Sequence, residues 1–197
     1  MRHHTYMMKT MKRQAILLLI LCCSLGTMAN ERYDNAVKIT FLSWLTGSTK
    51  ISYERAFPHY HQAGEICASV IGAGYDKFQN APLGFTVRYG HKFFLGNTYD
   101  GGLKGFYIRP EAIYSHYDYN SRHTLQRTPA RMATLLATTG YQTHFGHFIF
   151  DAWAGGGYAM GTPAETGYHH GFALWNLNGV MHNNIALSFS IRLGYCF

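Results

Sequence analysis

The stretch from Ile185 to Phe197 limits what this chain can fold into more than any other. Ile185, Leu187, Phe189, Ile191, Leu193, Tyr195 and Phe197 take every second position, with Ala186, Ser188, Ser190, Arg192, Gly194 and Cys196 between them. Successive side chains of a strand point to opposite faces, so one face here is wholly apolar and the other small or polar. A soluble sandwich would bury that apolar face in its core. The alternation instead runs straight into an aromatic residue, the pattern of a closing transmembrane strand. Tyr195 and Phe197 are then the expected C-terminal signal read by the barrel-assembly machinery.

The same period recurs upstream. Leu83, Phe85, Val87 and Tyr89 alternate with an inward Arg88, and Phe106, Ile108, Pro110, Ala112 and Tyr114 alternate with Tyr107, Arg109, Glu111 and Ile113. Leu135 to Tyr141 and Phe148 to Tyr158 behave alike, as does Ile51 to Phe57. Residues 64–75 form a weaker Gly- and Ala-rich strand, and 36–45 a first one. Eight strands result. Short turns are expected at 58–62 and 143–146 on one side, with a somewhat longer one at 95–103; a tight link at 46–48, one near 76–81, and long loops at 118–130 and 161–183 lie on the other. Pro110 lacks a ladder donor and should mark an irregularity or bulge.

The chain opens with a basic patch (Lys9, Lys12, Arg13), an apolar run from Ala15 to Cys23, and small residues around Thr27-Met28-Ala29. That is the layout of a secretory signal peptide, with residues 1–29 removed and 30–197 forming the barrel domain. Lipoprotein processing at Cys22 or Cys23 is the alternative. Removing the leader lowers the basic count from 17 to 13 against 10 acids, so the net charge falls from +7 to about +3. No clustered basic face remains to argue for a nucleic-acid partner. Cys67 and Cys196 stay behind; they fit no zinc spacing, and a bond between them requires both to point inward.

The charged residues share a face with Gly, Ser and Thr. Glu54, Arg88, Arg109, Glu111, Asp151 and Arg192 all fall on inward positions near mid-strand. Three acids and three arginines would neutralise one another inside a barrel whose interior is filled by side chains. Arg192 should pair with Glu54, Glu111 or Asp151. A lipocalin-like soluble barrel would show the reverse polarity. Aromatics near the strand ends (Phe57, Tyr89, Phe93, Phe94, Tyr114, Tyr141, Phe148, Tyr158 and Phe197) should form interfacial girdles.

Other candidates for chemistry are weaker. His59, His61, His144 and His147 fall in turns, and His169, His170 and His182 in the longest loop, without acids or thiols at a recognisable metal spacing. No cofactor and no metal is expected. Gly155-Gly156-Gly157 lacks the Lys-Ser/Thr of a phosphate loop and reads as a device for curvature or close packing. A lipid A deacylase carries His-x-Ser at its outer face. Here His116-Tyr117-Asp118 has Asp118 at the serine position, and Ser115 points to the other face, so the nucleophile is missing.

The chain resembles the small outer-membrane barrels of Bacteroidota catalogued as a domain of unknown function, within the OmpA/OmpX-like group. The resemblance rests on Ile51-Ser52-Tyr53-Glu54, the run Ile108 to Tyr114, Gly140-Tyr141-Gln142, and Ala154 to Tyr158. It implies a fold and an envelope location and brings no catalytic residues. The expectation is an all-β, eight-stranded antiparallel up-and-down transmembrane barrel in the bacterial outer membrane. Its partners would be outer-membrane lipid, the assembly machinery and other envelope proteins. It would be a structural or surface-interaction protein or an accessory subunit, and not an enzyme.

Overall fold

The computed structural model describes residues 32–57, 60–95, 102–175 and 184–197, so the expected signal peptide lies outside the described residues. Arg32–Phe197 forms one compact unit. Its long strands are β1 (Asn35–Thr40), β2 (Ser48–Phe57), β3 (Gln62–Ile71), β4 (Leu83–Leu95), β5 (Gly105–Asn120), β6 (Arg127–Phe145), β7 (Phe148–Thr162) and β9 (Ile185–Cys196). A two-residue strand, β8 (Ala173–Leu174), sits against β9. Each long strand pairs antiparallel with the next, and β1 pairs with β9 to close the ring. The result is an eight-stave barrel, as the alternation predicts.

The two faces sort as expected. Along β2 the residues alternate buried and exposed without a break from Ser48 to Phe57. Ile51, Tyr53, Ile66, Val70, Phe85, Val87, Ile108, Leu135, Phe189 and Leu193 all face outward and are exposed. On β5 the outward apolar set runs from Phe106 to Tyr114, roughly 26 Å along the strand. Of the expected girdle aromatics, Phe94 is the exception. It follows Phe93 directly, so pleating turns it inward, where it packs edge-on against Tyr107.

Several expected boundaries move. The first strand stops at Thr40 and not at 45, because Phe41-Leu42 and Trp44-Leu45 place apolar neighbours side by side and break the period. Those residues form a 3-10 turn, Phe41–Thr46, that Gly47 ends in the left-handed region with φ 84°. The link to β2 is therefore this turn and not a tight one at 46–48. The expected strand 64–75 occupies 62–71. The expected long loop at 118–130 shrinks to 121–126. Tyr117 and Tyr119 keep the period with buried rings, and the ladder continues to Asn120 opposite Arg127. At the other end β6 and β7 reach the Gly146-His147 turn, which puts His144 inside a strand.

Pro110 opens the β4–β5 ladder without shifting it. Gly90 pairs with Glu111 and Phe93 with Ile108, the same register on both sides of the interruption, so there is no bulge. The glycine triplet acts through close packing at two of its three positions. A Cβ on Gly155 would lie 2.5 Å from the Thr138 Cα, and one on Gly157 2.7 Å from the Leu136 Cα, whereas Gly156 faces out and meets nothing closer than 3.3 Å.

The end of the barrel bearing the 3-10 turn is capped by interlocked connections. Gly72 N–H donates to Gly47 O, Tyr75 N–H to Trp44 O, and Asn120 N–H to Asn80 O. The Arg122 guanidinium reaches Phe78 O, and the Glu165 carboxylate accepts from the Ser121 hydroxyl and from Arg122 N–H at 3.0 Å. Residues 163–175, expected as part of a free external loop, fold back into the mouth. His169, His170 and Phe172 are buried there. The expected loop residues 176–183, including His182, lie outside the described residues.

Candidate functional site: the charged lumen

Inward positions carry most of the buried charge, so the lumen is the first place to seek function. All six expected residues (Glu54, Arg88, Arg109, Glu111, Asp151 and Arg192) are buried there. Four more charged side chains join them: Lys38, Lys50, Glu65 and Lys92. The interior of the described barrel thus holds four acids and six bases, not three of each.

These groups form two linked clusters. In the lower one, nearer the end where β1 begins, the Lys38 ammonium donates to Glu54, to Glu65 at 2.7 Å and to Asp151 at 2.9 Å. Lys92 donates to Gln142 and to Asp151 at 2.8 Å, and lies 3.1 Å from Glu54. Tyr107 completes the set by donating to the other Asp151 oxygen at 2.5 Å. Above it, Arg88 and Arg109 share Glu111 at 3.1 and 2.6 Å. Glu65 joins the clusters: besides the two lysines it meets Arg192 and lies 3.7 Å from Arg109.

Trp153 is the common platform of the guanidinium groups. The Arg192 and Arg109 carbons lie 4.1 and 4.7 Å from its ring centroid, and that of Arg88 lies 5.9 Å away. An aromatic face attracts cations most strongly where water is excluded, which supports an excess of bases in this space. Apolar groups close the lumen below: Tyr33, Ala36, Phe94, Leu103, Ile149 and Cys196 belong to one buried cluster with Trp153. Above, Ile113, Met132, Leu136 and Phe172 form a second.

Arg192 therefore pairs with Glu65, not with Glu54, Glu111 or Asp151 as expected. Asp151 is its cross-strand neighbour, but the two lysines and Tyr107 already occupy that carboxylate. The sequence signal for Glu65 was its alternation with Ile66, Ala68 and Val70, which a Gly- and Ala-rich context obscures. Lys92 lies where β4 continues past Gly90 behind His91, which declares no face, and Lys38 lies on the short β1, whose period is blurred by the apolar pairs of the 3-10 turn that follows.

The carboxylates of Glu54, Glu65 and Asp151 converge closely enough to hold a cation. Protein ammonium groups already fill that role, so the chemistry of this cluster is internal neutralisation. The remaining candidates disperse. Cys67 and Cys196 both point inward, but they are separate thiols on β3 and β9. His116 faces outward against Phe85, Asp118 lies 4.0 Å from Arg127, and Ser115 is turned inward to Thr86 and His169 O, so no triad forms. His147 stacks on Tyr195 and its Nδ1–H donates to Cys196 O at 3.0 Å; His59 is outside the described residues.

His169 and His170 sit in the folded-back segment among Tyr117, Tyr168 and Phe172. Burial disfavours their charged forms and pushes them down to about 4 and about 3. They are neutral packing groups at neutral pH.

No family model, curated protein or solved structure matches this chain.

Proposed function

We propose that this chain is a small integral outer-membrane β-barrel whose lumen is plugged. It serves as a structural or surface-interaction protein, or as an accessory subunit of an envelope assembly. One observation carries the reading: the charged residues are inside and the apolar residues outside. In water, exposed Phe, Tyr, Ile, Leu and Val on every stave would form a continuous sticky surface. In hydrocarbon the same surface is matched, and a ladder closed through β1 and β9 pairs most of the backbone that faces lipid. The OmpA/OmpX-like assignment is part of the same proposal and rests on the short motifs that resemble those barrels. Its partners are membrane lipid, the barrel-assembly machinery and neighbouring envelope proteins.

The lumen supports this role better than transport. Nine buried charges knit side chain to side chain, with Lys50 beside them and apolar clusters above and below, fill the interior among the described residues. The alternative of a lipid A deacylase lacks its serine, since Asp118 stands there beside an inward Tyr117. The test is fractionation with heat-modifiable gel migration. The reading expects recovery in outer membranes and different mobilities for boiled and unboiled samples. A protein that stays soluble without detergent and migrates identically in both states overturns it. Unchanged lipid A mass spectra on deletion are expected as well.

A further inference from the structure

Among the described residues the barrel wall is incomplete beside β9. β1 has six residues against twelve in β9, and their pairing ends at Thr40 opposite Arg192. Higher on the same edge of β9, β8 pairs with Ala186 and Leu187. Between these two partners, Ser188–Ile191 have no strand neighbour on that side among the described residues. A cavity of about 140 Å³ lies at this gap. Its lining includes Leu42, Leu187 and Phe189, which belong to the outward surface, and Lys50, Arg88 and Trp153, which are buried inside. The cavity therefore passes through the wall from an apolar mouth to a cationic floor.

Two donors at the floor lack partners. Lys50 is only 8% exposed, and its ammonium, which keeps a little solvent access, makes no hydrogen bond or ion pair among the described residues. The Trp153 indole N–H is buried and equally unpaired. Burying a charge without a counter-charge is costly, and the other buried bases of the lumen all have an acid. Arg88 leans toward the same space and spends one nitrogen on Gly171 O at 2.9 Å and the other on Glu111. The Ser188 hydroxyl donates to that same Gly171 O at 2.8 Å, which fixes the rim.

We infer that this lateral window binds a single-chain amphiphile with a carboxylate head. The head lies between the Lys50 ammonium and the Trp153 N–H, and the alkyl chain leaves past Leu42, Leu187 and Phe189 into the bilayer. The missing negative charge, the apolar mouth on the lipid-facing surface, and room for a head and its first carbons but not a whole lipid all point to this ligand. The inference rests on the membrane reading above, and its test separates the two.

The test uses the full barrel carrying Trp44→Phe and Trp175→Phe, reconstituted in phosphatidylcholine vesicles, so that Trp153 alone reports. Stearate with a nitroxide at carbon 5 should quench Trp153 saturably, and stearate labelled at carbon 16 far less. Lys50→Met should weaken saturation roughly tenfold or more, as expected for losing one charge-assisted contact, while Lys50→Arg retains it. Equal quenching by the methyl ester of the 5-labelled chain would refute the anionic head. Equal competition by butyrate would show a water-borne anion instead and overturn the membrane source. Insertion with heat-modifiable migration but no saturable quenching sinks the window inference alone; failure to insert sinks the membrane reading.

Discussion

Replacing Glu65 by Gln probes the lumen at its most connected point. The carboxylate meets Lys38 at 2.7 Å, Lys92 at 3.5 Å and Arg109 at 3.7 Å, and it also pairs with Arg192. At an effective dielectric of about 20, each of the contacts with Lys38, Lys92 and Arg109 carries about 4–6 kcal/mol of gross attraction. Desolvation of the five groups offsets most of that sum. The amide keeps the shape and removes the charge, raising the formal excess of buried bases from two to three. Breaking a buried ionic cluster by removing one partner costs about 3–5 kcal/mol, because the charges left behind have no solvent. The assay is urea unfolding in phosphatidylcholine vesicles, followed by tryptophan fluorescence and by the gel shift between folded and unfolded forms. The double variant Glu65→Gln/Arg192→Met should lose less than the sum of the single losses, since the pair is in contact. A single-variant loss below about 1 kcal/mol, or strict additivity, would show that the lumen is hydrated and the ion pairs screened.

Other outcomes follow from the same geometry. Gly155→Ala and Gly157→Ala should each destabilise by about 1–3 kcal/mol through overpacking against the neighbouring strand, and Gly156→Ala by much less; chemical denaturation ranks them. Val87→Arg should cost about 2–4 kcal/mol in vesicles if that face meets hydrocarbon, whereas a water-exposed position would leave stability within about 0.5 kcal/mol. Planar bilayers should record no porin-sized openings. The His169 and His170 segment should loosen in acid. Their folded values lie below the ordinary 6.5, so the neutral forms stabilise the fold fully above pH 6.5, and that contribution is lost as pH falls toward 4 and then 3. Amide hydrogen exchange across 163–175 at pH 7.5 and pH 4.5 reads this directly; equal protection at both would refute it.

Strand alternation carried the fold because a period of two is read residue by residue and survives errors at the ends. Every one of the six charged residues placed inward on that basis is inward. The failures fall where the period is locally ambiguous. At Phe41-Leu42 and Trp44-Leu45 two apolar residues in succession fit either face of a strand, and only the turn at Gly47 resolves them. At Glu65 the alternate positions are Gly and Ala, too small to declare a face. At Lys92 the pattern continues through His91, a residue neither apolar nor plainly inward. The window could not be read at all, since it arises from the unequal lengths of two strands far apart in sequence. The fold-back of 163–175 likewise depends on Phe172 and the two histidines finding a space made by other staves.

The unequal ladders also set an order of assembly. β5 and β6 share a continuous register from Gly105 opposite Gln142 to Asn120 opposite Arg127, joined by a six-residue connection. The final join, by contrast, spans only Ala36 to Thr40 and unites the two most distant staves. Contacts that are local in sequence form early, and those that close a long loop come late. The ring should therefore grow outward from the β5–β6 hairpin and be zipped last along the short edge between β1 and β9. Until that zip closes, Lys38 on β1 is withheld from Asp151, so the lower charge cluster can be completed only by the same step that ends folding.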